Sequence, residues 1–191
     1  LGLPYTINEG DGAFYGPKID FHLEDSIGRT WQCGTVQLDF QMPINFGLEY
    51  VDEKGERQRP IMVHRVCFGS IERFIGVLTE HFAGKFPVWL APEQVMIMPI
   101  ADRHHEAANA LVEKFANAGL RVSADCRSEK LGYKLREAQL EKIPYMLVMG
   151  DKEIEEGTVG VRKRGEGDIG AMSIDEFLGL VLRQNAEKVI F

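Results

Sequence analysis

The sequence is short of cysteine. Three occur in 191 residues, Cys33, Cys67 and Cys126, and no two form a Cys-x-x-Cys pair. That excludes a disulfide framework and a self-contained cysteine zinc site, and it fits a reducing, cytoplasmic setting. No stretch approaches the ~18 consecutive apolar residues of a membrane-spanning helix, so no membrane partner is expected. Positive charge is also in deficit: 22 Lys and Arg face 29 Asp and Glu, for a net charge of −7. Bulk electrostatic binding of nucleic acid is thereby excluded, and any nucleic-acid site has to be a local basic patch. No Gly-x-x-x-x-Gly-Lys-Ser/Thr segment is present, so the glycines do not form a P-loop. There is no internal repeat and no low-complexity tract. The opening Leu1-Gly2-Leu3-Pro4 has neither an initiator Met nor a signal-like apolar region, and is expected to be the interior of a longer protein.

What is present suits a globular protein: 45% hydrophobic and 27% charged residues, enough to bury a core. The two halves differ in texture. Residues 1–90 hold two long alternating stretches, predicted as strands over 13–23 and 29–40, a short strand over 61–64, and one amphipathic helix over 70–82 with Ile71, Phe74, Ile75, Leu78 and Phe82 at helical spacing. Strands in succession predict an antiparallel sheet with a helix packed on it. Residues 91–191 alternate strand-like and helix-like segments, which predicts a mixed sheet covered by helices. Ser173 and Glu176 form a capping-box pair before a last helix. The expected fold class is therefore α/β (α+β), in two domains, 1–90 and 91–191, joined through the stiff Phe86-Pro87-Val88-Trp89-Leu90-Ala91-Pro92.

Several residues carry potential chemistry. Lys18, on a strand after a glycine-rich turn, suits a phosphate as a point charge, or is an ordinary exposed strand lysine. Trp31 to Phe40 crowds polar side chains into one strand, either as the wall of a polar ligand site or as the wet face of a half-exposed strand. Gln32 and Gln37 have opposite parity, so both reach one ligand only if the strand bulges, and Gly34 is the natural place. Arg73 lies at the edge of the helix's apolar face, as a snorkelling arginine or an anion contact. His64 has no second His or Cys at ligand spacing, and His104 and His105, being adjacent, point different ways. From Arg121 to Arg136 there are five basic and two acidic residues, and Arg162-Lys163-Arg164 adds to this candidate patch. A Gly-Asp-Lys-Glu turn at 150–153 puts charge at a strand end, where ligands of such sheets collect.

Taken together, these motifs resemble one family. Asn8 to Asp20, Trp31-Gln32-Cys33-Gly34-Thr35, Gln37-Leu38-Asp39-Phe40, His64-Arg65, Gly69-Ser70-Ile71-Glu72-Arg73 and Trp89-Leu90-Ala91-Pro92 are similar to segments of threonyl-tRNA synthetases. So are Arg121-Val122, Glu129-Lys130, Tyr145-Met146-Leu147-Val148 and Gly150-Asp151-Lys152-Glu153. The resemblance covers nearly the whole chain. It implies the last part of a class II catalytic domain, followed by an anticodon-binding domain. It implies a threonine–tRNA ligase, with threonine, ATP with Mg²⁺ and tRNA(Thr) as partners and a homodimeric parent. Arg73 would be the motif 3 arginine on the ATP γ-phosphate and Lys18 the adenylate-phosphate contact, both catalytic. Tyr15, Gln32 and Gln37 would line the threonine and adenylate pocket. His64 would be one of three zinc ligands, the others lying upstream. Ser128, Arg136, Glu153 and Arg162 would be anticodon-reading residues, with Lys130 and Lys134 on phosphates. Ser128 departs from the family's Asn, and His64-Arg65-Val66 from its His-Arg-Ala. Motifs 1 and 2 are absent, so the isolated 191 residues are expected to be inactive. The competing readings are a non-catalytic tRNA-binding or regulatory paralogue and another class II synthetase, such as the prolyl enzyme.

Overall fold

A computed structural model describes residues 2–190. It divides into two compact units, Leu1–His81 and Phe82–Phe191. In the first, three strands form an antiparallel sheet in the order β1 (Lys18–Glu24), β2 (Thr30–Asp39), β5 (Met62–Val66). A short helix α1 (Met42–Asn45) and a small ribbon of β3 (Tyr50–Val51) with β4 (Arg57–Gln58) occupy the charge-rich segment between β2 and β5. Helix α2 (Ile71–His81) follows. The turn from β1 to β2 is built on Asp25, which is 9% exposed. Its Oδ1 accepts the backbone N–H groups of Ile27 and Arg29 at 3.1 and 2.8 Å, and its Oδ2 accepts Arg29 Nε at 2.6 Å and Trp31 Nε1 at 2.8 Å. The amphipathic stripe expected of α2 is present, yet none of its residues is buried; Ile71 and Ile75 are 61% and 54% exposed.

The second unit has a five-stranded sheet in the order β10 (Gly167–Ser173), β9 (Thr158–Lys163), β8 (Tyr145–Met149), β6 (Val95–Pro99), β7 (Val122–Ala124). The three strands β7, β6 and β8 are parallel; β9 and β10 run antiparallel. Both faces are covered, which is why β6 and β8 read as unbroken apolar runs. Val95, Ile97, Tyr145 and Leu147 face helices α3 (His105–Asn117) and α6 (Ile174–Glu187) through Leu111, Phe115, Phe177 and Val181. Met98 and Met146 face the other side, against Ala138 and Leu135 of α4 (Leu131–Leu140). Ser173 Oγ accepts the Glu176 N–H at 3.2 Å and so caps α6.

Two elements of the second unit differ from expectation. The 150–153 turn is the start of a helix, α5 (Asp151–Glu156), too short to show helical periodicity. Strand β10 is glycine-rich and was not expected. The division between the units also falls earlier than the 90/91 boundary placed at the prolines. The connector packs with the second unit because two arginines hold its backbone. Arg164 donates to the carbonyls of Lys85 and Phe86, and Arg121 to those of Ala91 and Trp89. Fully buried Gln94 completes this joint: Nε2 donates to Val88 O at 2.8 Å and Asn185 Oδ1 at 3.0 Å, and Oε1 accepts the Arg121 N–H at 2.9 Å. Gln94→Met keeps the volume but strands those partners. It is expected to lower the stability of the second unit by about 2–4 kcal/mol in chemical denaturation; a change below about 0.5 kcal/mol, the usual size for a neutral surface site, would mean that this joint does not hold the connector.

Candidate active-site wall and nucleic-acid face

In the first unit, the register places a polar row straight across the sheet. Lys18 pairs with Gln37, and Gln37 with His64. The next row pairs Asp20 with Thr35. Phe21 opposes Gly34 and His22 opposes Gln32, so Cys33 is the surplus residue of a bulge. That shift restores Gln32 to the face of Gln37, Lys18 and Asp20, and Gln32 Nε2 donates to Asp20 Oδ1 at 2.7 Å. Gly34 belongs there for steric reasons: a Cβ would lie 3.1 Å from Cys67 O and 3.3 Å from the Phe21 ring.

The row is held by carboxylates. Lys18 Nζ lies 3.0 Å from Asp20 and 3.5 Å from Asp11. Its hydrogen bond to Asp20 raises its pKa. Burial pushes the Asp20 carboxyl up, but the Lys18 and Gln32 contacts outweigh that and leave it lowered. Tyr15 OH hydrogen-bonds Gln37 Oε1, and the Tyr15 ring meets the His64 ring edge-on at 5.8 Å. His64 Nε2 lies 2.8 Å from Oδ2 of Asp39, which is 1% exposed and also accepts the Gln41 and Met42 N–H groups. Burial opposes ionisation of Asp39, and those hydrogen bonds, His64 first, hold its pKa down. Arg73, on the first turns of α2, reaches the bulge: Nη2 donates to Gln32 O at 2.9 Å, and its guanidinium lies 6.0 Å from the Trp31 ring centroid. Gly69, at φ +66°, permits this approach, since a Cβ would stand 2.8 Å from Cys33 O and 3.3 Å from Arg73 Nη2. The fold thus brings Tyr15, Lys18, Gln32, Gln37, His64 and Arg73 to one polar region. The partners Asp20 and Asp39 were not singled out in the sequence, although Asp20 shares the parity of Lys18.

In the second unit, β6 sends its chain to β7 on one side, and β8 lies on its other side. The crevice beyond the carboxyl ends of such strands is where open α/β sheets bind ligands. A cleft there is lined by Ile100, Asp102, His105, Ser128 and Lys130. Glu153 lies beside the end of β8, with Oε2 accepting the Gly150 N–H at 2.9 Å. Arg162 is on β9, opposite Met146, with Nη1 3.2 Å from Asp168 Oδ2 and a buried, unpartnered Nε. Arg136 is exposed on α4. Lys134 requires a correction: it is 3% exposed and donates to Asp125 O at 2.8 Å, so it braces the strand-end loop instead of reaching a phosphate. Arg127 adds to that brace, bridging Asp125 at 2.6 Å and Glu137 at 2.7 Å.

Residues 1–82 match the tRNA synthetase class II core domain (G, H, P, S and T), and residues 94–184 match the anticodon binding domain. The threonine–tRNA ligase of Caldanaerobacter subterraneus subsp. tengcongensis is 62% identical over 188 residues, 98% of this chain and 29% of its own length; that of Desulforamulus reducens is 66% identical over 92% of this chain and 28% of its own. The chain belongs to the threonyl-tRNA synthetase family. A crystal structure described as the RNA binding domain of threonyl-tRNA synthetase from Cryptosporidium parvum Iowa II superposes with a TM-score of 0.86 at 38% identity, over 95% of this chain and 46% of that one. The chain spans about three-tenths of the length of the curated synthetases it matches. Among the described residues, no three His, Cys, Asp or Glu side chains cluster as a metal site, and no helix is long and apolar enough to cross a membrane.

The Asp25 turn supplies a pH test of the synthetase-like unit, because it holds the Trp31 indole beside Arg73. Burial raises the Asp25 carboxyl, but hydrogen bonds from Trp31 and Arg29 overcome this and hold it far below its ordinary 3.8. A depressed folded-state pKa means stability that is present above the unfolded value and lost as pH falls below it. Acid unfolding followed by Trp31 fluorescence in a Trp89→Phe background is therefore expected to begin below about pH 4, and Asp25→Asn is expected to flatten that dependence. An unaltered acid profile in Asp25→Asn would contradict the role given to this carboxylate.

Proposed function

We propose that this chain serves ATP-dependent threonylation of tRNA(Thr), its first unit forming part of the threonyl-adenylate pocket and its second reading the anticodon. The observation that carries the reading is the single polar face that joins Lys18, Gln37 and His64 across three strands, with Arg73 reaching the bulge beside Gln32. A binding module has no use for such a wall. In the reaction, the threonine carboxylate attacks the α-phosphorus of ATP and pyrophosphate leaves. A ribose hydroxyl of the terminal adenosine then attacks the acyl carbon of the mixed anhydride, forming the ester as the bond to phosphate breaks and AMP leaves. Arg73 would neutralise the γ-phosphate and Lys18 the adenylate phosphate, exchanging its carboxylate partners for the ligand. Gln32, Gln37 and Tyr15 would fix the substrate by hydrogen bonds.

The resemblance also implies zinc, and the residues present suit one ligand position. Asp39 holds His64 through Nε2, as carboxylates orient metal-bound histidines, and leaves Nδ1 to coordinate. The remaining ligands would come from outside these residues. Bound there, zinc would supply a Lewis acid able to distinguish the threonine hydroxyl from the methyl of valine.

In the second unit, Glu153 and Arg162 would read base edges, Ser128 and Arg136 would be further anticodon-reading residues, and Lys130 would hold phosphate. The 191-residue chain is expected to bind the anticodon stem-loop of a threonine tRNA in preference to an unrelated loop, with affinity falling steeply with salt. Arg162→Ala should cost about 1–3 kcal/mol for the cognate loop and little for the other. Equal binding of both loops by the wild-type chain would defeat the anticodon assignment.

A further inference from the structure

Two loops leave neighbouring parallel strands β6 and β8 at their carboxyl ends, and three side chains tie them together. After β6 the chain makes a 3-10 turn over Asp102–His104. The His104 ring is 2% exposed. Its Nδ1 accepts the Ala101 N–H at 3.3 Å, which places the ring proton on Nε2, and Nε2 donates to Asp151 Oδ1 at 2.8 Å. Arg103 closes on the same carboxylate with both arms of its fork, Nε to Oδ1 at 2.9 Å and Nη2 to Oδ2 at 2.5 Å. A two-point arginine contact fixes orientation as well as distance. The Ile100 N–H donates to Met149 O at 3.0 Å, so the backbones already run together up to this point.

Asp151 is the first residue of α5, and Glu153 lies two residues on. Six residues are too few to hold a helix in water, so its placement depends on outside contacts. Packing supplies little, for α5 has no buried residue. The Glu153 carboxylate is turned back onto Gly150 N–H, and the same glycine leaves no room for a Cβ between Ile100 Cδ1 at 2.9 Å and Glu153 Oε2 at 3.0 Å. Glu153 is therefore referenced to the β6 loop by two routes, through Gly150, which Ile100 approaches closely and whose N–H the Glu153 carboxylate accepts, and through Asp151.

We infer that Arg103, His104 and Asp151 form a latch that positions α5, and through it Glu153, for base recognition. His104 and Asp151 are positioning residues, since the buried ring and the doubly engaged carboxylate face each other. The inference rests on the anticodon reading of the second unit, and it deepens that reading by giving Glu153 a fixed frame. The electrostatics agree with this geometry: hydrogen bonds from Arg103 first, then His104, hold the Asp151 carboxyl well below its ordinary range.

The test uses the 191-residue chain and two readouts. Asp151→Ala is expected to raise amide exchange over residues 150–156 about tenfold, the scale on which members of one network are coupled, while exchange in β8 and β9 stays as it was. It is also expected to lower selectivity for the cognate stem-loop by a similar factor, and to have no further effect on selectivity in a Glu153→Ala background. His104→Ala should reproduce both effects. Unchanged exchange over 150–156 would overturn the latch. Raised exchange with full selectivity, or an equal loss of selectivity with and without Glu153, would overturn its positioning role. A wild-type chain that fails to discriminate loops, with exchange raised in the variant, would overturn the anticodon reading and the task given to Glu153, and would leave the tie between the two loops standing.

Discussion

One surplus residue in β2 decides what the first unit can present. A strand alternates faces, so without the bulge at Cys33 and Gly34 the amides of Gln32 and Gln37 would point to opposite sides of the sheet. With it, Gln32 joins Asp20, Gln37, Lys18 and His64, and a continuous polar wall results. The same bulge makes the neighbourhood crowded. A Cβ at Gly34 would press on Cys67 O and the Phe21 ring, and one at Gly69 would stand 2.8 Å from Cys33 O and 3.3 Å from Arg73 Nη2, so glycine at 69 leaves the Arg73 guanidinium its place on the Gln32 carbonyl. Placement of the wall and placement of the arginine are thus consequences of one backbone irregularity.

The second unit answers a different demand. Its three parallel strands are apolar on both faces, so helices cover both sides, and the exposed chemistry is confined to strand ends and to β9. Charged groups at those ends are mostly braces. Lys134 and Arg127 hold the loop after β7 through Asp125, and Arg103 and His104 hold the loop after β6 to α5. At the connector, Arg121, Arg164 and Gln94 satisfy backbone carbonyls that burial would otherwise strand. Arg121, Arg127, Lys134 and Arg164 are thus committed to carbonyls and carboxylates within the fold.

Much of this was legible in the residues. The opposite parity of Gln32 and Gln37 called for a bulge, and Gly34 marked its place. Alternation identified β1 and β2, helical spacing identified α2, and the Ser173 and Glu176 pair marked the start of α6. What escaped lacked a period. Helix α5 is six residues long, and β10 carries two positive-φ glycines that weaken any strand signal. Lys134 looked like surface charge because nothing local shows that a backbone carbonyl waits for it across the loop. The connector looked like a boundary because prolines mark stiffness, while the arginines that fasten it to the second unit come from far along the chain. Buried Asp39 was hidden for a related reason: its partners His64, Gln41 and Met42 meet only once β2 and β5 pair.

The claim on which the account turns is that the two units carry separate surfaces, with RNA read at the strand ends of the second. Backbone amide shifts of the 191-residue chain, titrated with a threonine anticodon stem-loop, test it most directly. The account predicts perturbations at residues 100–105, 126–130 and 150–156 and along β9, with the Lys18, Gln37 and His64 row undisturbed. Perturbations centred on that row, with the strand-end loops of the second unit undisturbed, would contradict it.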